Sequence, residues 1–311
     1  MTILDSFRSK SSKPSAPAPA TVGTESKPES PVRQSNEAIS RYPGLSKVKN
    51  IIAVAAGKGG VGKSTVATNL AVSLAAQGVK VGVLDADVYG PSMMKMLEVT
   101  DTPQTDGSLI KPAKAKDISV VSLAMFAQGQ KAAIMRGPMA GNVIKQFLTQ
   151  VDWGELDFLI VDYPPGTGDI QLTISQTVPV QGAVIVTTPQ EVALLDVRKA
   201  VQMFKTLKVP VMGIVETMSY FEPEDGKRYH IFGKGGGEKL AVEFGLSLLG
   251  EIPIMPEIAE GGDTGRPIVA AKADSIASQQ FQAAAEKLRK QVEIIKASDS
   301  ERLNEFSITW K

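Results

Sequence analysis

The segment Gly57-Lys58-Gly59-Gly60-Val61-Gly62-Lys63-Ser64-Thr65 limits what this chain can fold into more than any other feature. It fits the pattern G-x-x-x-x-G-K-[ST] and lies where such a segment must lie. The apolar run Ile51–Ala55 precedes it, and a stretch with helical spacing, Thr65–Gln77, follows. Glycines let a backbone curl around phosphate oxygens without Cβ clashes, turning several N–H groups toward the anion. The following helix adds the positive end of its dipole, about half a charge. Lys63 then supplies a full charge to the β/γ-phosphates of a nucleotide, and the Ser64 hydroxyl a ligand for Mg²⁺. Gly57, Lys58, Gly59, Gly60, Val61, Gly62, Lys63, Ser64 and Thr65 together are the expected nucleotide-binding residues.

Further along, short Val/Ile-rich runs alternate with helical stretches. Val79–Leu84, Phe158–Val161, Ala183–Thr187 and Val211–Val215 read as strands buried on both faces, as in a parallel sheet. Gly141–Gln150, Ile170–Thr177 and Glu191–Leu207 read as the helices between them. The alternation implies an α/β fold: a doubly wound, mostly parallel sheet with helices on both faces. Phe281, Ala284, Leu288, Val292 and Ile295 recur at helical spacing within Asp274–Lys296, a long closing helix. The expected domain is 47–296, without internal repeats, and 297–311 is a C-terminal tail. Residues 1–46 hold six of the 19 prolines, interleaved with serines, and lack apolar periodicity. Such a composition cannot offset its ordering entropy, so a disordered tail is expected. No 7–15-residue apolar stretch follows Met1 and no window is long enough for a membrane span, so a cytoplasmic protein is expected.

Composition narrows the chemistry. The sequence has no cysteine and one histidine, His230. Disulfides, Cys-based zinc sites, cysteine nucleophiles and thiolate-held clusters within this chain are excluded. His230 itself reads as structural or solvent-facing. Lys and Arg number 34 against 33 Asp and Glu. That balance offers no pull toward nucleic acid or an anionic membrane.

Two acidic strand ends complete the expected site. Val81–Asp87 finishes in Asp85-Ala86-Asp87, two carboxylates two residues apart and therefore on one side of an extended strand end. Phe158–Asp162 is an apolar strand ending in a single aspartate, the form that holds Mg²⁺ through a coordinated water. It runs into Tyr163-Pro164-Pro165-Gly166-Thr167-Gly168-Asp169, where prolines stiffen a loop whose glycines allow close approach to a γ-phosphate. Asp169 reads equally as part of that loop and as the cap of the helix from Ile170. Gly235-Gly236-Gly237 lacks a following Lys-Ser/Thr and reads as the start of a helix.

Lys58, placed just after the first loop glycine, makes the loop resemble the deviant Walker A loop of the MinD/ParA/Mrp group of P-loop ATPases. The Asp162–Asp169 segment narrows the likeness. With Met135–Met139, Val215–Phe221, Ile231–Gly237 and Glu260–Gly265, in order between about Lys49 and Lys290, it resembles the Mrp (ApbC) family. Members are homodimeric ATPases that carry iron–sulfur clusters to apoproteins. The resemblance implies ATP and Mg²⁺ as cofactors, with slow hydrolysis as a conformational switch. It implies that Lys58 reaches the partner subunit's nucleotide, that Asp87 positions or activates the attacking water, and that Asp85 and Asp162 support the magnesium shell. Thr217 stands where the family usually has an adenine-reading asparagine, so base preference is either relaxed or read by backbone groups near Pro253, with the resemblance implying ATP over GTP. Glu222 and Asp225 stand where many members carry the cysteines of C-P-x-C; hard carboxylates suit a sulfide cluster poorly. The implied role is therefore assistance to a thiol-bearing assembly partner or apoprotein client. The alternative within the wider group is a positioning ATPase whose ATP dimer binds a membrane, DNA or a protein scaffold.

Overall fold

The computed structural model describes residues 42–87, 90–105, 109–122, 125, 137–223 and 226–308 of the 311-residue chain. In chain order, β1 (Ile51–Ala56) leads into α1 (Lys63–Ala76), β2 (Val81–Asp85) and the short α2 (Met93–Met96). A small hairpin, β3 (Gln104–Thr105) and β4 (Ile110–Lys111), precedes β5 (Ala113–Ala115) and β6 (Ile118–Ser122). Then come α3 (Gly137–Gln150), β7 (Phe158–Asp162), α4 (Asp169–Thr177), β8 (Gly182–Thr187), α5 (Glu191–Thr206) and β9 (Val211–Glu216). The chain closes with α6 (Gly236–Phe244), β10 (Leu248–Glu251), α7 (Pro256–Asp263), α8 (Ile268–Ala271) and α9 (Ile276–Ile308).

Eight strands form one sheet in the order β10-β9-β8-β1-β7-β2-β6-β5, parallel except for the β5–β6 pair at the edge. Every residue of β1 is buried, and its alternating side chains feed two separate cores. Ile51, Ala53 and Ala55 pack with Ile144 of α3, Ile174 of α4, Leu194 of α5 and Leu240 of α6. Ile52, Val54 and Ala56 pack with Val66 and Leu70 of α1 and Phe281 and Leu288 of α9. A strand with a period of two and helices on both sides needs apolar residues at every position, which is why these strands read as unbroken runs. The doubly wound parallel sheet expected from the sequence is the fold observed.

The differences are local. The short 3-10 turn Pro43–Leu45 lies before the boundary expected at residue 47, with Leu45 fully buried beneath α3 and Val151. The closing helix runs beyond Lys296 to Ile308. Strands β5, β6 and β10 were not anticipated. They are three to five residues long, and Ala, Ser and Gly dilute their hydrophobic signal. Residues 1–41, Arg136, Asp225 and Trp310 lie outside the described residues. Among the described residues no helix is long and apolar enough to cross a membrane.

Candidate functional site

Parallel strands place all their C-terminal ends on one edge of the sheet, where open α/β folds bind ligands. Here that edge gathers the 57–62 loop after β1, Asp162 at the end of β7 and Asp85 at the end of β2. Val54 is in register with Asp162, and Asp162 with Asp85. The topology thus brings together residues separated by more than one hundred positions in sequence.

The loop has two separate reasons for its glycines. Gly60 and Gly62 have φ of 78° and 79°, the left-handed region that a side chain disfavours. Gly57 instead lies against α5: a Cβ there would fall 2.4 Å from the backbone carbon of Asp196. Gly62 is also the N-cap of α1 and offers no side chain to its first N–H groups, leaving that helix end to be met by an anion.

Lys63 is buried at the centre. Its ammonium lies 2.7 Å from Asp162 Oδ1 and 3.6 Å from Asp87 Oδ2, and donates to Ser64 Oγ at 3.2 Å. Asp162 is completely buried, and its second oxygen, Oδ2, has no hydrogen-bond partner among the described residues. Burial pushes its carboxyl up from the usual range, while Lys63 and the Ser64 hydroxyl pull it down. An orphaned carboxylate oxygen beside a serine hydroxyl is a hard-oxygen donor set, and it suits Mg²⁺. The loop, the helix end and these oxygens fit a magnesium nucleotide.

Asp85 and Asp87 do not share one direction as the strand spacing suggested. Asp85 turns into the protein: its Oδ2 accepts from Met93 N and Ser122 Oγ, and its Oδ1 from the Asp87 backbone N–H. Burial first, then the neighbouring Asp162 charge, raises its pKa to about 7. Asp87 faces the site beside Lys63 and takes the Gly90 N–H on its other oxygen. Ser122, at the end of β6, carries no sequence signal beyond lying after an apolar run, and it went unanticipated. Lys58 is half-buried and forms no ion pair among the described residues.

Thr217 is placed at the loop, although not as an exposed reader of a base. Its hydroxyl lies 2.6 Å from Val61 O and 2.9 Å from Thr187 O, tying the phosphate loop to the ends of β8 and β9. Beside it opens a cavity of about 410 Å³, lined by Gly62, Thr65, Met96, Met218, Ile254 and Asp263 among others.

The position corresponding to a cluster ligand is otherwise occupied. Glu222 Oε2 accepts from Arg228 Nε at 2.7 Å, and that guanidinium stacks 4.4 Å from the Tyr220 ring. Phe221 and Tyr229 pair backbones across the same turn. Without cysteine, and with no trio of His, Asp or Glu able to hold a metal among the described residues, these side chains do not fit an iron–sulfur cluster. His230 is exposed and its Nδ1 lies 3.1 Å from Ser219 O, consistent with a structural role. Gly235 caps α6 as expected of a helix start. Gly168 is the N-cap of α4, which places Asp169 at its first helical position.

Residues 47–289 match the ParA family described as NUBPL iron-transfer P-loop NTPase. An iron–sulfur cluster carrier protein of Synechocystis sp. is 49% identical over 253 residues, covering 78% of this chain and 71% of that protein. The chloroplastic Fe-S cluster assembly factor HCF101 of Arabidopsis thaliana is 50% identical over 246 residues, 77% of this chain and 45% of its own length. Among solved structures, a nucleotide-binding protein of Archaeoglobus fulgidus in complex with ADP superposes with a TM-score of 0.68 at 38% identity, covering 80% of this chain and 98% of that one.

Proposed function

Because this chain belongs to the ParA-type NUBPL iron-transfer P-loop NTPase family, the Mrp (ApbC) group of iron–sulfur cluster carriers, we propose that it is a dimeric switch driven by Mg-ATP that assists cluster transfer through a partner's thiols. The observation that carries this reading is the meeting of Lys63, Asp87 and Asp162 at the end of a glycine loop, with Asp162 Oδ2 unpartnered among the described residues.

In this reading the amides after Gly60 and the N-terminus of α1 cradle the phosphates, and Lys63 leaves its carboxylates to meet the β/γ-oxygens. Ser64 Oγ and the Asp162 carboxylate would hold Mg²⁺, which would supply charge to neutralise the phosphates. Asp87 orients or deprotonates the attacking water, a role worth about 10²–10⁴ in rate. Asp85 acts from behind by fixing the backbone of Asp87. Lys58 reaches the partner subunit's nucleotide, where a cation supplied in trans is worth about 10³–10⁵ when it is an arginine. The cluster is cargo: Glu222 is engaged by Arg228, so the thiols come from the partner protein or client.

Two measurements test this. Light scattering of the Asp87→Ala protein with Mg-ATP is expected to show a dimer that Mg-ADP does not support; a monomer in both would sink the switch. Anaerobic incubation with ferrous iron and sulfide, then desalting, is expected to leave no stoichiometric iron on this chain. Retained iron with a charge-transfer band would refute the borrowed-thiol reading.

A further inference from the structure

The cavity beside the phosphate loop carries an inference about which nucleotides enter it; it rests on the Mg-nucleotide reading above. A pocket discriminates bases strongly only when it presents hydrogen-bonding groups that the wrong base leaves unpaired. Here several of the groups that would do so are already engaged. The single proton of the Thr217 hydroxyl is shared between Val61 O and Thr187 O. On the facing wall, Ile252 N–H donates to Glu216 O and Ile254 N–H to Tyr220 O, both at 2.7 Å. Pro253 between them has no N–H. The Thr217 N–H is likewise committed to Thr187 O at 2.8 Å.

What remains for a base is mostly apolar: Met96, Met218, Phe232 and Ile254, with the Asp263 carboxylate, ion-paired to exposed Lys95 at 3.2 Å. Met218 holds a positive φ of 52°, a conformation that its neighbours Thr217 and Ser219 fix through their own backbone bonds. Thioether side chains are polarisable and accommodate different flat rings. Adenine and guanine differ at C6, amine against carbonyl, and at C2, hydrogen against amine. This lining has acceptors that either purine's amine can use; its side-chain donors are the committed Thr217 hydroxyl and the Thr65 hydroxyl, which belongs to the first turn of α1 beside the phosphate loop rather than to the apolar wall.

We infer that this chain is a purine-tolerant nucleotide switch, in which the inward commitment of the Thr217 hydroxyl leaves ATP and GTP to be selected by shape rather than by hydrogen bonding. Thr217 is in that sense the specificity-determining residue.

The test is competition against a ribose-labelled fluorescent ATP analogue on the full-length protein with Mg²⁺, using ATP, GTP, ITP and CTP. ATP, GTP and ITP are expected to compete within about tenfold of one another, with CTP weaker because its smaller ring fills less of the cavity. GTP and ITP weaker than ATP by more than about a hundredfold would overturn the inference while leaving the nucleotide reading intact. If the labelled analogue itself fails to bind, the phosphate-loop reading falls and the inference with it. Thr217→Asn, which places an amide donor and acceptor at this wall, is expected to widen the ATP:GTP ratio by about tenfold. An unchanged ratio in the folded variant would overturn the assignment to Thr217. The ITP comparison needs only the unaltered protein, so the test stands even if the variant does not fold.

Discussion

The buried ammonium of Lys63 sits 2.7 Å from Oδ1 of Asp162, a carboxylate with no exposed surface. Each charge is tolerable inside the protein because of the other, and the same lysine is the residue a phosphate would recruit. Structure and proposed chemistry therefore draw on one contact.

Lys63→Met is expected to abolish nucleotide binding and also to cost about 3 kcal/mol of stability. That is the low end for a broken buried pair, since Asp162 can take up a proton instead. Lys63→Met with Asp162→Asn is expected to recover most of that loss. Urea denaturation of the four proteins in the cycle measures it; a single variant as stable as the parent would contradict the pairing.

Asp87 faces the site whereas Asp85 faces the core, so their substitutions should separate. Asp87→Asn is expected to lower kcat by about 10² or more with nucleotide affinity nearly unchanged. Asp85→Asn should mainly reduce stability, because its oxygens hold α2, β6 and the Asp87 backbone. Steady-state turnover beside thermal melting distinguishes the two.

The two kinds of loop glycine make opposite demands. Gly57→Ala is expected to cost about 1–3 kcal/mol by forcing α5 and the loop apart, since the new Cβ has backbone in its way. Gly60→Ala meets nothing within 4 Å and should cost about 1 kcal/mol from its φ of 78° alone. Paired melting curves, read with nucleotide affinities, check the order.

Gln171 on α4 is buried, and among the described residues neither its amide nitrogen nor its carbonyl oxygen has a hydrogen-bond partner. Gln171→Met, of similar volume, is expected to stabilise the protein by about 1–2 kcal/mol by removing two unsatisfied groups. A lower melting temperature would show that the amide is satisfied in solution.

Much of the site was legible because its residues carry their own local signal. A glycine loop between an apolar strand and a helix, and single aspartates at strand ends, can be recognised without knowing which strands are neighbours. Asp162 and Lys63 were therefore assigned together although 99 positions separate them. Ser122 and the cavity wall from Ile252 to Met255 had no such signal. A serine after two valines is ordinary, and the wall's character comes from which N–H groups its neighbours occupy. The opposed orientations of Asp85 and Asp87 were hidden too, because they depend on α2 and β6 arriving beside β2.

The sequence by itself determined the phosphate loop, the strand–helix alternation and the absence of thiolate chemistry. These follow from local backbone requirements, hydrophobic period and the elements present in the side chains. Only the tertiary structure decided what each polar group was free to do. The Thr217 hydroxyl is committed to Val61 and Thr187, Glu222 is committed to Arg228, and Asp162 Oδ2 is left over among the described residues. Hydrogen bonding between distant segments is a matter of occupancy, set by which groups the fold brings within about 3 Å of each other.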